Sequence, residues 1–273
     1  MRILMLAWRD LKHPLKGGAE VVTDAYLSGL AKKGHSVMLF SAEFPGCKSK
    51  EELNGYTIIR KGGQLGVHWH GLVYAKKHEK EFDIVIDQVN TIPFFTPLLI
   101  PKRKRIAFFH QLALNVWFYE SPFPVSAIGI CLEWLYLKLY FNTRCFVVSE
   151  STKNDLRKYA FCTKDILVLE DQIDFKPTSK IFKKEDSFVF CGRLKKSKRA
   201  YDCIKALRFV PKAKLYIIGT GDYEKKLEKL ANKIGVGRRV VFCGSLSFRE
   251  RNKVFAKCLA ILVPSVREGW GLI

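Results

Sequence analysis

Five short clusters of glycine, histidine and charged residues in this 273-residue chain each follow an apolar segment. Glycines let the backbone approach a ligand, arginine and lysine bind phosphate oxygens, and a carboxylate can bind the hydroxyls of a sugar. Such residue types, placed where strands are expected to end, indicate ligand-binding sites. The clusters lie at residues 16–20, 110, 191–199, 219–222 and 265–271.

The first two clusters are built on glycine and histidine. Gly17 and Gly18 open a helical pattern, whose free N–H groups could bind an anion. The pattern is not GxGxxG, so it does not specifically indicate dinucleotide binding. A tight turn at the start of a helix explains the two glycines equally well. His110 follows the apolar segment 106–109, and ligands of open α/β sheets bind at the carboxyl ends of strands. There His110 could form a hydrogen bond or shuttle a proton, although a structural histidine is the commoner case.

The next two clusters follow apolar segments in the second half of the chain. Arg193 could bind two phosphate oxygens, and Lys198 could add a point charge. A solvated basic loop or a nucleic-acid patch is the alternative, but the position at a strand's end favours phosphate. Gly219 and Gly221 form another sharp turn after a strand, which loop chemistry alone could explain.

The last cluster combines a carboxylate with glycines. Glu268 suits the hydroxyls of a sugar, or of a ribose as in dinucleotide sites. Gly269 and Gly271 would expose backbone N–H groups to a phosphate. This cluster therefore also indicates a ligand site.

Apolar segments of strand length alternate with helical spacing along the whole chain. Most of these segments are continuously apolar, as expected for strands buried on both faces of a parallel sheet. Helical spacing fills the intervals, for example at 22–29, 200–207 and 223–234. The pattern predicts an α/β protein with doubly wound parallel sheets. Predicted strands cover residues 3–7, 37–41, 56–59, 84–87, 106–109, 146–149 and 166–169, then 188–191, 215–218, 240–242 and 260–263.

Two series of strands predict two domains, joined through the polar segment 174–186. We place the first domain at residues 1–175 and the second at residues 176–273. The second series has four strands, fewer than open parallel sheets usually have. The second domain is therefore expected to be incomplete.

The composition of the chain indicates the kind of partner it binds and the compartment in which it folds. The formal net charge is +21, from 47 basic and 26 acidic residues, which favours nucleotide phosphates, anionic lipid or nucleic acid as partners. The eight cysteines contain no CxxC pair and indicate core residues in a reducing compartment. The apolar stretch 122–141 is interrupted by charged residues and predicts a buried or interfacial helix, not a membrane span.

Together, the five clusters resemble those of the retaining glycosyltransferases of family 4, which have the GT-B fold. The resemblance covers essentially the whole chain, and its motifs occur in the family's order. It implies two Rossmann-like domains facing a cleft, the N-terminal one on the acceptor side and the C-terminal one binding a nucleotide-sugar donor. The motifs are the Gly-Gly turn, the strand-end histidine, the segment 147–151 before a helix, Gly-Arg-Leu-x-x-x-Lys at 192–198 and Glu-Gly-x-Gly-Leu at 268–272.

The resemblance also implies roles for individual residues. Arg193 and Lys198 would hold the donor diphosphate and stabilise the departing nucleotide. His110 would contact the transferred sugar near its reacting carbon, and Glu268 would bind sugar hydroxyls. The expected catalytic residues are His110 and Glu268, and the expected donor-binding residues are Gly17, Gly18, Arg193, Lys198, Gly219, Gly221, Gly269, Trp270, Gly271 and Leu272.

The chain departs from the family pattern in two places. The family signature has a second glutamate, which here would lie beyond Ile273, so a C-terminal truncation and weakened donor binding are expected. Where family members commonly have Asn-Gly-x-Asp, this chain has Asp-Gln-Ile-Asp at 171–174, which weakens any assignment there.

The implied function is transfer of a hexosyl-type sugar from an NDP-sugar to a glycan or lipid-linked acceptor, with retention of anomeric configuration, in cell-surface glycan or glycolipid synthesis. The NDP-sugar is a substrate, and the family requires no metal or other cofactor. The basic run 102–105 and the aromatic stretch 117–140 suggest an anionic or lipid-linked acceptor at a membrane surface, but a solvated loop and a buried helix explain them slightly better. We expect a cytoplasmic protein in peripheral contact with the inner face of the cell membrane, and no nucleic-acid partner.

Two other classes of function stay open. One is a GT-B relative that acts as a nucleotide-sugar epimerase or a phosphorylase. The other is a non-catalytic basic protein that binds membrane or nucleic acid. The glycines at strand ends argue against simple charge binding as the whole function.

Overall fold

The computed structural model describes residues 1–160, 165–169 and 183–273. The chain separates into two compact units. The first unit comprises Met1–Leu114, Ala127–Ile173 and Gly269–Leu272, and the second comprises Asn115–Ser126, Asp174–Glu268 and Ile273.

The first unit is built on a sheet of eight strands among the described residues, in the order β3-β4-β2-β1-β5-β6-β7-β8. All neighbouring strands are parallel except the β3–β4 pair. The strands are β1 Arg2–Leu6, β2 Ser36–Ser41, β3 Lys50–Leu53, β4 Tyr56–Arg60, β5 Ile84–Val89, β6 Arg105–Phe109, β7 Arg144–Val147 and β8 Ile166–Val168.

Helices cover both faces of this sheet, which explains why its central strands are apolar throughout. In β1, for example, the four residues after Arg2 are all buried. The helices of the chain's first part are α1 Gly18–Lys32, α2 Gly66–Lys77, α3 Val116–Glu120, α4 Val125–Leu139 and α5 Glu150–Tyr159. Of these, α3 and the first two residues of α4 belong to the second unit.

The second unit has a smaller parallel sheet with the order β11-β10-β9-β12. Its core packs Leu194, Ile204 and Leu227 against the buried residues of the central strands. The strands are β9 Ser187–Cys191, β10 Lys214–Ile218, β11 Val240–Gly244 and β12 Ala260–Ile261, and the helices are α6 Ala200–Ala206, α7 Glu224–Lys233 and α8 Phe248–Lys257.

The predicted α/β fold with parallel sheets is confirmed, and each predicted apolar segment overlaps a strand. The strand β3 has no counterpart in the prediction because its sequence, Lys-Glu-Glu-Leu, is mostly charged. It pairs antiparallel with β4 across Asn54 and Gly55, whose φ angles are 49° and 88°. Asn-Gly is a strong hairpin signal, and charged residues suit the edge of a sheet.

Two buried polar networks fix the loops at the carboxyl edge of the first unit's sheet. The Arg60 guanidinium donates to both carboxylate oxygens of Asp10, at 2.7 and 3.0 Å, and both side chains are fully buried. At the end of β5, the Asp87 carboxylate accepts hydrogen bonds from the backbone N–H of Phe94 and from Thr96. The loop that leads to Gly17 and the loop after β5 are therefore both held from inside the protein.

The stretch predicted as a buried or interfacial helix contains α4, which has one buried and one exposed face. Leu137 is fully buried, and the Glu133 carboxylate accepts the backbone N–H groups of Ala113 and Leu114, both at 2.7 Å. The opposite face carries exposed leucine and isoleucine side chains. Among the described residues, no helix is long and apolar enough to cross a membrane.

Candidate functional site

His110 lies at the carboxyl end of β6, where the sequence placed it. Its side chain is nearly buried, and its Nε2 atom lies 2.7 Å from Nε2 of Gln88, at the carboxyl end of β5. The same amide nitrogen of Gln88 lies 2.5 Å from the Thr23 hydroxyl on α1. Burial lowers the pKa of the His110 imidazole from 6.5 to about 4. The ring is therefore neutral near pH 7 and can form directional hydrogen bonds there.

The predicted Gly-Gly turn forms the start of α1, with Gly17 at the N-cap and Gly18 as the first helical residue. The backbone N–H of Gly17 donates to the Glu20 carboxylate at 2.5 Å, so one free N–H group of the helix start is already satisfied. A Cβ atom on Gly18 would lie 2.5 Å from Cδ1 of Leu272. The terminal methyl group of Leu272 thus lies directly over the start of α1, and a larger residue at position 18 would have to displace it.

The segment Gly269–Leu272 belongs to the first unit and lies against the same strand ends. The Ser149 hydroxyl, at the N-cap of α5, donates to the Gly269 carbonyl at 2.8 Å. A Cβ atom on Gly269 would lie only 2.2 Å from the carbonyl oxygen of His110. The structure therefore brings His110, Gly18, Gly269 and Leu272 together at one edge of the sheet, while Trp270 is exposed.

A second cluster lies in the other unit, after the carboxyl end of β9. Lys198, in the short 3-10 helix Lys196–Lys198, places its ammonium nitrogen 2.6 Å from the Glu268 carboxylate. The backbone N–H of Val266 donates to the carbonyl of Ser197 at 2.9 Å, which fixes the approach of the two segments. Two residues predicted as donor ligands thus bind each other.

Arg193 is the cation of this second cluster whose guanidinium is not engaged by another described residue. Its side chain is exposed and makes no hydrogen bond or ion pair within the part of the chain that the structure describes. A free guanidinium can bind two phosphate oxygens at once. Among the described residues, no group of three or more histidine, cysteine, aspartate or glutamate side chains could hold a metal ion.

The structure gives Gly219 and Gly221 a packing explanation. A Cβ atom on Gly219, whose φ is 127°, would lie 2.0 Å from the carbonyl oxygen of Gly192. A Cβ atom on Gly221 would lie 2.5 Å from the carbonyl oxygen of Leu194. These glycines allow the loops after β9 and β10 to touch through their backbones, which orients the Arg193 segment. Their predicted contact with a donor stays a prediction.

Sequence analysis did not identify Glu120, which supports the basic loop. Its carboxylate accepts the backbone N–H of Ser197 at 3.0 Å and lies 3.4 Å from the ammonium of Lys195. Burial raises the pKa of the Glu120 carboxyl, but these hydrogen bonds and the Lys195 charge outweigh burial and leave the pKa below its usual value. No local signal marks Glu120, because its partners lie far away in the sequence.

The basic run 102–105 lies away from the strand-end cluster of its own unit. It ends at Arg105, the first residue of β6, at the amino edge of the sheet, whereas His110 follows β6 at the carboxyl edge. Lys104 and Arg105 are tied to neighbouring loops, for example through hydrogen bonds to the carbonyls of Phe82 and Ile100. The structure therefore places this run at the edge of the sheet opposite to His110.

Two protein-family models match the chain. The model described as Glycosyltransferase Family 4 matches residues 16–174, and the model described as Glycosyl transferases group 1 matches residues 171–273. The first of these matches covers more than half of the chain.

Curated and solved proteins add to these matches. The chain is 23% identical over 311 aligned residues to an uncharacterized glycosyltransferase of Methanocaldococcus jannaschii, MJ1607, with 100% of this chain and 77% of the relative covered. Sucrose-phosphate synthase from Thermosynechococcus elongatus has a TM-score of 0.79 at 15% identity, over 99% of this chain and 77% of that one.

Two further solved structures have the same fold. WaaG, a glycosyltransferase involved in lipopolysaccharide biosynthesis, has a TM-score of 0.71 at 16% identity, over 98% of this chain and 76% of its own. Anabaena HepE in complex with UDP-glucose has a TM-score of 0.66 at 14% identity, over 98% of this chain and 75% of that one. At these identities the similarity establishes the fold, which is GT-B.

Proposed function

This chain belongs to glycosyltransferase family 4 and is a transferase with the GT-B fold, and from that premise we propose what it does. It moves a hexosyl-type sugar from an NDP-sugar to a glycan or lipid-linked acceptor. The transfer retains the anomeric configuration. The observation that carries the proposal is the cationic cluster after β9, where Arg193 has no partner among the described residues. A diphosphate leaving group needs positive charge that is already in place, and this cluster offers it.

In this proposal the Lys198–Glu268 pair opens when the donor binds. Lys198 turns to the diphosphate beside Arg193, and the released Glu268 carboxylate accepts hydrogen bonds from sugar hydroxyls. Both side chains are partly accessible to solvent, at 23% and 35%, so exchange of partners costs little, since exposed ion pairs contribute only about 0–1 kcal/mol. The ion pair thus keeps both groups positioned before the donor arrives.

Within the first unit, we assign proposed ligand contacts to His110 and the start of α1. The neutral imidazole of His110 would hydrogen-bond to the transferred sugar, and the backbone of Gly17 and Gly18 would face the donor phosphates. Trp270, Gly271 and the other residues after Glu268 would supply backbone N–H groups. Gly219 and Gly221 would act mainly by orienting the Arg193 loop.

Donor binding by the protein tests this proposal. Isothermal titration with UDP-glucose and GDP-mannose, followed by transfer assays, should show binding that falls about tenfold or more in Arg193→Ala. Arg238→Ala is the matched control, because Arg238 is an exposed arginine at the opposite end of the same sheet. Addition of EDTA should leave transfer unchanged, since the proposed reaction uses no metal. Epimerised sugar formed without an acceptor would contradict the proposal.

A cavity at the carboxyl edge of the first unit suggests the chemistry of the acceptor. It has a volume of about 440 Å³, and its charged lining residues are Lys12, Lys16, Lys48, Glu51 and Arg60. Lys16 directly precedes the Gly-Gly turn, so the cavity adjoins the start of α1. Its positive charge suits an acceptor that carries a phosphate or carboxylate. Lys16→Gln combined with Lys48→Gln should slow transfer to phosphorylated sugars and leave transfer to neutral sugars unchanged.

The exposed face of α4 suggests peripheral contact with an anionic membrane. Ile128, Leu132, Leu135 and Leu139 recur at helical spacing and are 55%, 55%, 54% and 40% exposed. The basic run 102–105 lies at the amino edge of the sheet, near the end of α4, because α4 leads into β7 there. An apolar stripe beside basic residues is the pattern of a helix that lies in a membrane interface. We place the protein in the cytoplasm, on the inner face of the membrane.

Vesicle binding tests this part of the proposal. The protein should sediment with phosphatidylglycerol vesicles and not with phosphatidylcholine vesicles, and salt should weaken the binding. Ile128→Ser combined with Leu135→Ser should abolish it. Leu65→Ser is the control, because Leu65 is 77% exposed and lies outside α4. Equal binding to both vesicle types would contradict anionic recognition.

A further inference from the structure

We propose that Gln88 is a positioning residue that fixes the tautomer of His110, so that Nδ1 carries the proton and is the ring nitrogen offered to the ligand. This inference rests on the proposed function only for the identity of that ligand. The hydrogen-bond network that carries it runs from α1 through β5 to the end of β6, and it lies wholly in the first unit.

The network starts at Thr23. Its hydroxyl lies 2.8 Å from the backbone carbonyl of Ala19, and a carbonyl can only accept. The single hydroxyl proton of Thr23 is therefore used in that bond. Towards Gln88, which lies 2.5 Å away, the Thr23 oxygen can then act only as an acceptor.

Because the Thr23 oxygen can only accept, the orientation of the Gln88 side-chain amide is fixed. The group that faces Thr23 must donate, so it is the NH₂ group and not the amide oxygen. The second hydrogen of the same NH₂ group points to Nε2 of His110, 2.7 Å away. Nε2 must therefore accept, and in a neutral imidazole the remaining proton is on Nδ1.

Thr23 and Gln88 are buried, so water does not replace the hydrogen bonds that they form. Thr23 is 2% exposed and Gln88 is 4% exposed. Nδ1 makes no hydrogen bond within the described residues, yet it is not among their fully buried polar atoms without a partner. Of the two ring nitrogens, Nδ1 is therefore the one that is not engaged by a described residue and is left to bind a ligand.

The consequence is a defined chemical role for His110. A protonated Nδ1 donates a hydrogen bond and cannot take up a proton, so it requires an acceptor oxygen on the ligand. In a nucleotide sugar such atoms are the hydroxyl oxygens of the sugar and the phosphate oxygens. His110 then orients the donor rather than acting as a base, and the low pKa of its imidazole, about 4, keeps it uncharged while it does so.

Nitrogen-15 NMR of the imidazole tests the tautomer in the free protein. The chemical shifts of a protonated and an unprotonated ring nitrogen differ widely, and His110→Asn identifies the signals. We expect the proton on Nδ1 in the wild-type protein at pH 7. In Gln88→Glu, whose carboxylate can only accept, the proton should lie on Nε2. A wild-type spectrum with the proton on Nε2 would overturn the inference.

Thr23 offers a matched pair of variants that leaves Gln88 and His110 unchanged. Thr23→Ser keeps the hydroxyl and should keep the proton on Nδ1. Thr23→Val removes the hydroxyl, so the Gln88 amide is free to turn over and both tautomers should appear. Identical spectra for Thr23→Val and the wild type would show that the network does not fix the tautomer.

Titration with UDP-glucose separates this inference from the proposed function. We expect the Nδ1 signal to move on binding while the Nε2 signal stays in place. In Thr23→Val, kcat/KM should fall several-fold through KM, and Thr23→Ser should restore it. If UDP-glucose binds but the Nδ1 signal does not move, the ligand contact is refuted. If UDP-glucose does not bind at all, the donor assignment fails while the tautomer is still decided by the free-protein spectrum.

Discussion

The ammonium of Lys198 lies 2.6 Å from the carboxylate of Glu268, so two predicted donor ligands neutralise each other in the free protein. Sequence motifs placed both residues in a donor site but gave no indication that they contact each other. Their pairing means that the two residues should have opposite effects on binding of the nucleotide alone.

Glu268→Gln should separate nucleotide binding from sugar binding. Removing the carboxylate frees Lys198 for the diphosphate, so UDP should bind at least as tightly as in the wild type. UDP-glucose should bind about tenfold more weakly, because a charge-assisted hydrogen bond to a sugar hydroxyl is lost. Lys198→Ala should weaken both ligands, and titration calorimetry measures all four affinities. Equal losses for UDP and UDP-glucose in Glu268→Gln would contradict this division of roles.

Gly269→Ala should damage the strand-end cluster. The new Cβ atom would lie 2.2 Å from the carbonyl oxygen of His110, so the segment must move away. We expect a loss of about 1–3 kcal/mol in the free energy of unfolding, as for other overpacked sites, and a lower kcat/KM. Gly63→Ala is the control, because a Cβ atom there meets nothing within 4 Å. Similar urea-unfolding curves for the two variants would refute the packing argument.

His110 should make stability depend on pH in a defined window. Burial lowers the pKa of its imidazole from 6.5 to about 4, so between these values the unfolded chain binds a proton that the folded protein does not. Stability should therefore fall as the pH drops from 6.5 towards 4, by at most about 3 kcal/mol from this residue. The difference between wild type and His110→Asn, measured by urea unfolding at several pH values, isolates this contribution from other histidines. A difference that is independent of pH would contradict the pKa assignment.

Asp10→Asn should destabilise the first unit strongly. The change removes the fully buried carboxylate that accepts two hydrogen bonds from the fully buried Arg60 guanidinium, which among the described residues keeps only Glu51 as a carboxylate partner. Breaking a buried ion pair costs about 3–5 kcal/mol. Lys12→Gln breaks the exposed contact with Glu51 and should cost less than about 1 kcal/mol.

Asp10→Asn should destabilise the protein less at low pH than at neutral pH. Burial raises the pKa of the Asp10 carboxyl, but hydrogen bonds from Arg60 and Ser41 hold it below 3.8. A carboxyl with a lowered pKa contributes stability above its unfolded pKa and loses it as the pH falls. The cost of Asp10→Asn should therefore shrink below about pH 4, and a cost that grows there would contradict the assignment.

Local sequence patterns were sufficient to predict the described strands other than β3 and to place several candidate site residues at the ends of strands. Continuously apolar segments predicted the parallel strands, and the residues just after them include His110 and Arg193. Contacts between distant segments could not be predicted, because no local pattern encodes them. Gln88 looks like an ordinary strand residue until it is found 2.7 Å from the His110 ring. Glu120 similarly gains its role only through its contact with Ser197.

The stereochemistry of sugar transfer tests the central claim most directly. The protein would be incubated with UDP- and GDP-sugars labelled with carbon-13 at the anomeric carbon, together with a mixture of phosphorylated sugar and lipid-linked acceptors. NMR then follows the labelled carbon. We expect release of the nucleoside diphosphate together with a product of unchanged anomeric configuration, and much less of both in Arg193→Ala. An inverted product, or no nucleotide release from any of these donors, would contradict the account.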